Sequence, residues 1–366
     1  MGKWGVLGAA VVAARTAWTV RTWQRVRELP AVGATGGTVT VVVPARDEAA
    51  NIDRCLRGLR GQDYPGLRIV VVDDASEDGT ADLVRRHVEE DPRVELVPSD
   101  GPPSGWAGKV HALHLGAERA ESDWLLFVDA DTEAAPDLVG RLLAAAARDD
   151  VDLVSTAGRS TTANAGWWLL LPPVNMLLFE ATSVDGGRGR ALAVGHCILV
   201  SRTAHDQAGG WRAIAGSRAD DVEFATLIRD TGGRTRYVDG TGSLATGGMA
   251  TFAEAYRSVR KSVVAGTSVY PGGPVAASLV LGVTGVAQVL YGLVPIVTAA
   301  RGSKPGQAAW LAHSVANRVY LRRSRQPAAA AVLGPVASVA FGVLVLDAAW
   351  RVLRGGATWK GRDVRG

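Results

Sequence analysis

Cysteine is nearly absent from this chain of 366 residues. Its two thiols, Cys55 and Cys197, exclude a disulfide framework and any four-thiolate zinc site. Neither charge dominates: 40 Lys and Arg against 36 Asp and Glu leave a net charge of +4. That is far from the basic stripe of a nucleic-acid binder, so no nucleic acid is expected as a partner. Charged residues make up only 21%, below the roughly 25% of ordinary globular chains. The 44 glycines follow no three-residue period, which excludes a collagen-like chain. With 47% hydrophobic residues the chain can build a core, so disorder is excluded as well. The length fits one large or two medium domains.

The apolar residues concentrate at the two ends. Trp4–Val20 is interrupted only by Arg15 and is succeeded by Arg21, Arg25 and Arg27. This reads as an N-terminal membrane anchor within residues 1–30. A signal peptide is the rival, because Lys3 precedes the run and small residues surround Ala14. Val275–Ala300 has no charged residue, and Gln288 is its one strongly polar side chain. It is long enough to cross the hydrocarbon core of a bilayer. Pro327–Trp350 is a second long run with Asp347 near its end. Gln307–Leu321 is weaker, with His313, Asn317 and Arg318. Residues 274–352 are therefore expected as C-terminal membrane helices, 241–273 as an amphipathic linker, and 353–366 as a basic tail. The expected location is the cell membrane, multi-pass, and the arginines after the first segment place the α/β domain in the cytoplasm. Basic clusters at Arg318/Arg322/Arg323/Arg325 and Arg351/Arg354/Lys360/Arg362/Arg365 fall on opposite sides for either two or three C-terminal spans. The number of spans stays open.

Residues 38–240 read as this α/β domain. Thr38–Val43, Arg68–Val72, Val94–Val97 and Trp124–Val128 have strand character. They alternate with helical spacing at Ala49–Leu59, Asp78–Val88, Gly108–Ala120 and from Pro136 to Arg148. Such alternation implies a mostly parallel sheet with helices on both faces. Ligands of such sheets bind beyond the carboxyl ends of strands. The carboxylates fall there: Arg46-Asp47-Glu48 after the first strand, Asp73-Asp74 after the second, Asp129-Ala-Asp131 after the fourth. Two phosphate cradles are missing. The turn Pro44-Ala-Arg-Asp-Glu48 has no glycine for a dinucleotide fingerprint, and Gly105-Trp-Ala-Gly108-Lys109 lacks P-loop spacing.

A carboxylate pair at the lip of a buried strand needs a cation or donors to compensate it. Mg²⁺ or Mn²⁺ on Asp131, shared with substrate phosphates, meets that need; helix capping by Asp131 and Thr132 is the plainer alternative. Asp150-Val-Asp152, the other Asp-x-Asp triplet, reads as a surface turn. Asp73-Asp74-Ala-Ser76 suits a base or ribose, or a helix cap. Lys109 opens a helix where a phosphate meets amide N–H groups, unless it is an ordinary surface lysine. Asp220-Asp221 also opens a helix, and a carboxylate there suits a base taking a proton from an acceptor hydroxyl. Four of the histidines (His111, His114, His196 and His205) do not form a zinc pattern, and the two cysteines sit among apolar residues as core thiols.

Together these residues resemble glycosyltransferase family 2, inverting enzymes of the GT-A fold that use nucleotide sugars. The matching pieces are Val43-Pro44-Ala-Arg-Asp47-Glu48, Val71-Val-Asp73-Asp74-Ala-Ser76, Asp78-Gly79-Thr80, Asp129-Ala-Asp131 and Asp220-Asp221. Gly195–Arg202 together with Gly209-Gly210-Trp211 is similar to the family's acceptor-side segment. Gly105–Lys109 and Trp359-Lys360-Gly361-Arg362 resemble a membrane subgroup that includes hopanoid-associated and carotenoid (diaponeurosporenoate-type) glycosyltransferases. The resemblance implies donor binding by Pro44, Glu48, Asp73, Asp74, Lys109 and Asp129, metal binding by Asp131, and Asp221 as catalytic base. It places Asp220, Gly209, Gly210 and Trp211 on the acceptor side. Departures exist: Asp47 replaces the usual Asn, His114 stands where an Asn is usual, and no Gln-x-x-Arg-Trp comes after Asp221. The last argues for transfer of one sugar rather than polymerisation. The interrupted run Ala165–Ala181 suits a bilayer interface, and Gly186–Arg190 a loop at the acceptor mouth. A lipophilic acceptor (carotenoid, hopanoid, glycerolipid or polyprenyl phosphate) is expected beside the bilayer. Nucleotidyl transfer and a non-catalytic membrane scaffold are the competing functions.

Overall fold

The computed structural model describes residues 3–187, 189–247, 249–269, 272–354, 358–359 and 362–363. Most of the basic tail, including Lys360 and Gly361, lies outside the described residues, as does Arg188 in the glycine-rich loop. The chain divides into two units, one of residues 26–161 and 181–248, the other of residues 1–25, 162–180 and 249–366.

The first unit is built on an eight-stranded sheet. Its strands are β1 (Arg27–Glu28), β2 (Val39–Ala45), β3 (Leu67–Asp74), β4 (Val94–Ser99), β5 (Trp124–Val128), β6 (Leu153–Thr156), β7 (Cys197–Ser201) and β8 (Thr235–Asp239), in the spatial order β1-β8-β6-β7-β5-β2-β3-β4. All neighbours are parallel except β7, which runs antiparallel to both β5 and β6. Strand residues alternate between two cores. Val41, Val43, Ile69 and Val71 pack with Ile52, Leu56 and Leu142 on one face. Val42, Leu125 and Phe127 pack with Leu113, Trp211 and Phe224 on the other. Burial on both faces explains why these strands read as unbroken apolar runs.

Three local features shape the rim. Pro44 sits inside β2, but β2 pairs with β5 only from Val39 to Val42, so its missing N–H breaks no bond on that side. The helices after β2 and β3 start at Ile52 and Thr80, two to three residues later than the spacing predicts. The intervening residues are held by side chains instead. Asp47 N–H donates to Ser76 Oγ (2.9 Å), Glu48 N–H to Thr80 Oγ1 (2.8 Å), and Ala49 N–H to Asp78 Oδ2 (2.9 Å). Asp47 and Ala75 adopt left-handed φ of 50° and 53° in these loops. The chain passes from β2 to β3 and β4 on one side, then to β5 on the other, so a switch in strand order opens a crevice at the carboxyl end of β2.

The second unit is helical: Lys3–Arg25, Ala165–Leu169, Leu171–Ala181, Phe252–Ala265, Gly273–Ala300, Lys304–Arg323 and Gly334–Leu353. The stretch beginning at Ala165 splits at Leu170, where Pro172 and Pro173 fall in the first turn of a new helix. Two segments are long and apolar enough to cross a membrane: Gly273–Ala300, with a mean hydropathy of 1.9, and Ala328–Leu353, with 2.3. Neither Lys3–Arg25 nor Lys304–Arg323 meets that measure, among the described residues. Within this unit Arg15 pairs with Glu180 (2.6 Å) and donates to Gln288 (3.4 Å), while Arg260 pairs with Asp347 (2.8 Å).

Candidate active site

The acidic residues singled out in the sequence gather at the carboxyl rim of β2, β3 and β5. Asp73 and Asp74 end β3 and are buried, 7% and 2% exposed. Arg46 Nη1 donates to the Asp74 carbonyl at 3.0 Å and pairs with its Oδ2 at 3.5 Å. Glu48 Oε2 accepts from Asn51 Nδ2 at 2.9 Å. The left-handed loops therefore bring Glu48 and Asp74 to one rim without a glycine-rich turn.

Asp129 leaves β5 directly into the cleft. Because β7 is antiparallel, its beginning lies at the same rim, and Asp129 N–H donates to the His196 carbonyl at 3.2 Å. Lys109, near the start of the helix Gly108–Glu118, reaches across. Its Nζ lies 2.7 Å from Asp129 Oδ1 and 3.5 Å from Asp220 Oδ2. Burial opposes the charge on Lys109, but Asp129 and Asp220 outweigh it and hold the ammonium firmly protonated. Lys109 is thus the charge centre of the cleft and not a surface lysine.

Asp221 lies in the first turn of the helix Asp220–Asp230. Its Oδ2 accepts the Gly195 N–H (3.0 Å) and its Oδ1 the Val222 N–H (2.8 Å). Burial, then the neighbouring Asp220 charge, pushes its carboxyl up to about 6, against the pull of Lys109 and the two amides. That is the range of a general base working near neutrality. A Cβ added at Gly195 would stand 2.8 Å from Lys109 Nζ, 3.7 Å from Asp129 Oδ2 and 3.8 Å from Asp221 Oδ2. One glycine therefore marks the point where Lys109, Asp129 and Asp221 converge.

Asp131 is distinct. Its Oδ1 is buried and accepts no hydrogen bond, and its Oδ2 has only a 3.5 Å contact with Thr246 Oγ1. Burial and the charges of Asp129 and Glu48 raise its pKa. A buried carboxylate oxygen with a lone pair unused is what a divalent cation would complete. Among the described residues no three His, Cys, Asp or Glu side chains assemble a closed metal cluster, so such a cation would draw further oxygens from its ligand.

The remaining expected residues divide. Gly209 and Gly210 take left-handed φ of 79° and 59°, where other residues are strained. Trp211 is fully buried, stacked on Phe224 at 3.9 Å and edge-on to Phe127 at 5.0 Å. It braces the helix carrying Asp220 and Asp221 from beneath and presents no surface to the cleft. Asp150 and Asp152 lie in a turn tied to Arg234, as a surface triplet should. Cys55 and Cys197 are buried, with the Cys55 thiol pushed up to about 12 by burial. The sequence placed Arg46 at the end of the first strand and Gly195–Arg202 in an acceptor-side segment, but gave neither Arg46, Gly195 nor His196 a partner at the rim. The antiparallel course of β7 is what brings Gly195 and His196 beside Asp129.

Residues 40–209 match the family described as Glycosyl transferase family 2. Similar proteins include a 4,4'-diaponeurosporenoate glycosyltransferase of Staphylococcus haemolyticus, 37% identical over 28% of this chain and 26% of that protein. An N-acetylglucosaminyltransferase of Neorhizobium galegae is 32% identical over 55% of this chain and 48% of its own length. The chain thus spans a quarter to a half of these relatives. Among solved structures, a mannosyltransferase from Pyrobaculum calidifontis in complex with GDP-Man and Mn2+ shares the fold, with a TM-score of 0.59 at 22% identity, over 95% of this chain and 99% of that one.

Proposed function

We propose, from the premise that this chain carries a glycosyltransferase family 2 domain over residues 40–209, that the protein is a membrane-bound inverting glycosyltransferase moving one sugar from a nucleotide-sugar donor to the hydroxyl of a lipophilic acceptor. The observation that carries this reading is the convergence of Lys109, Asp129 and Asp221 on Gly195. It puts a fixed cation and a carboxylate titrating near 6 within one small volume.

In this reading Glu48, Asp73 and Asp74 line the nucleoside pocket after Pro44, and Asp129 completes it. Asp131, with its unused lone pair, would hold Mg²⁺ or Mn²⁺ beside the donor diphosphate. When bound, that ion supplies charge neutralisation to the diphosphate. Lys109 adds a second positive charge by exchanging its carboxylate partners for a phosphate oxygen. Asp221 accepts the acceptor hydroxyl proton as its oxygen bonds to the anomeric carbon and the bond from that carbon to the diphosphate breaks. One displacement inverts the centre. Asp220, Gly209 and Gly210 shape the acceptor side, with Trp211 supporting them from the core.

A lipophilic acceptor is supported by the two long apolar helices and by similarity to a protein named for a carotenoid acid. The nucleoside-diphosphate-sugar class is supported by the GDP-Man and Mn2+ of the structural neighbour. The reading places the protein in the cell membrane with its catalytic unit in the cytoplasm, where activated sugars are made.

The test is transfer by the purified protein in detergent with Mn²⁺, radiolabelled UDP- and GDP-sugars, and a total lipid extract. Label entering the organic phase with equimolar nucleoside diphosphate is expected. Release of pyrophosphate would replace the reading with nucleotidyl transfer, and no labelled lipid from any donor would remove it.

A further inference from the structure

His196 has no task in the scheme above, although it sits at the same rim. Its carbonyl accepts the Asp129 N–H at 3.2 Å, which ties its backbone to the segment that carries Asp131. Its ring is tied separately: Nδ1 accepts the Gly158 N–H at 3.1 Å. An amide N–H only donates, so the nitrogen it meets holds a lone pair, and a neutral imidazole held this way carries its proton on Nε2. Among the described residues that Nε2–H has no protein acceptor. Gly158 in turn packs against Thr246, a Cβ there standing 3.3 Å from Thr246 N, and Thr246 Oγ1 meets Asp131 Oδ2 at 3.5 Å, so the ring is held on the Asp131 side of the rim.

Two roles are open to a histidine beside a candidate metal carboxylate, and the tautomer separates them. A metal ligand needs a lone pair on the nitrogen that faces the ion. While Gly158 occupies Nδ1, Nε2 has none to give. What Nε2 offers is a fixed, neutral hydrogen-bond donor. The surrounding side chains are mostly carboxylates, acceptors like the phosphate itself, and Lys109, which must leave two of them to reach a phosphate, supplies a single ammonium. A diphosphate held at Asp131 needs donors.

We propose that His196, through Nε2–H, hydrogen-bonds a diphosphate oxygen of the nucleotide-sugar donor and is not a metal ligand. This rests on the donor site proposed above and adds a residue to it. The Gly158 amide is the positioning group that fixes the tautomer.

Calorimetric titration of the full-length protein in detergent with UDP and with GDP, in the presence of Mn²⁺, tests it. Removing a hydrogen bond to a charged ligand is expected to weaken binding of the preferred nucleotide about 10- to 100-fold in His196→Ala. His196→Gln, which keeps an N–H at the reach of Nε2, recovers most of the loss. Binding of Mn²⁺ alone, monitored by the spin-resonance signal of the free ion, stays unchanged in both variants. Equal nucleotide affinity in His196→Ala overturns the proposal. So does a fall in Mn²⁺ affinity, which makes His196 a metal ligand, and so does a Gln variant as weak as Ala at an unchanged melting temperature, which makes its role packing. If the wild-type protein binds neither nucleotide, the donor site itself is wrong and this proposal falls with it.

Discussion

Glycine at position 195 leaves room for Lys109, and that space is the most testable single feature of the site. In Gly195→Ala the new methyl would crowd the flexible end of Lys109 (2.8 Å) and not backbone. Folding is expected to survive with a melting temperature within a few degrees of wild type, while kcat falls at least tenfold because the ammonium is displaced. Scanning fluorimetry beside a transfer assay separates the two effects. Asp221 gives a pH signature. Its folded pKa is raised to about 6 from the usual ~3.9, and a base must be ionised to act. Activity is therefore expected to rise about tenfold per pH unit below 6 and to level off above it; a profile flat from pH 5 to 7 would remove Asp221 as the base. The same shift has a stability consequence of the opposite sense. A raised carboxyl means that the fold penalises the ionised form, so stability is lost as pH climbs from the unfolded value through about 6. Asp221→Asn is accordingly expected to lose about 10²-fold or more in activity while melting at or above the wild-type temperature at pH 7. Asp73-Asp74, Asp129-Ala-Asp131 and Asp220-Asp221 were legible in the sequence because charges beside apolar runs stand out. Gly195 and His196 stood out only as part of an acceptor-side segment, and their contacts did not, since neither glycine nor a lone histidine announces which neighbour it meets.

At the scale of elements, catalytic geometry depends on how helices seat on the sheet. The helix Asp220–Asp230 rests on Phe224, which stacks on Trp211 over Phe127. Trp211→Ala is expected to cost about 3–5 kcal/mol and to lose stability and activity together in urea titrations, unlike the cleft variants. The helix bearing Lys109 sits tight on β2: a Cβ at Gly116 would crowd Val42 Cγ1. Gly116→Ala is expected to destabilise by about 1–3 kcal/mol despite the better helix propensity of alanine. The double variant with Val42→Ala should recover part of that loss. The strands Val39–Ala45, Leu67–Asp74 and Trp124–Val128 were readable as unbroken apolar runs that end in charge. β6 has four residues and β8 five, with polar residues among them. Their pairing comes from residues some forty to eighty positions apart, which no local pattern encodes.

For the whole molecule, the two long apolar helices predict that the protein stays with the membrane pellet through alkaline carbonate extraction. Release into the supernatant would mean that Gly273–Ala300 and Ala328–Leu353 are buried in protein contacts. Composition and hydropathy located these two apolar helices unaided, together with the α/β class and the acidic set, because burial forces apolar runs and the charged residues gather where those runs end. Only the tertiary structure decided that residues 162–180 fold with the terminal helices, that one antiparallel strand delivers Gly195 and His196 to the rim, and that Asp131 keeps an oxygen unsatisfied. Those outcomes depend on which distant segments meet, and a desolvated lone pair or a fixed tautomer exists only once they have met.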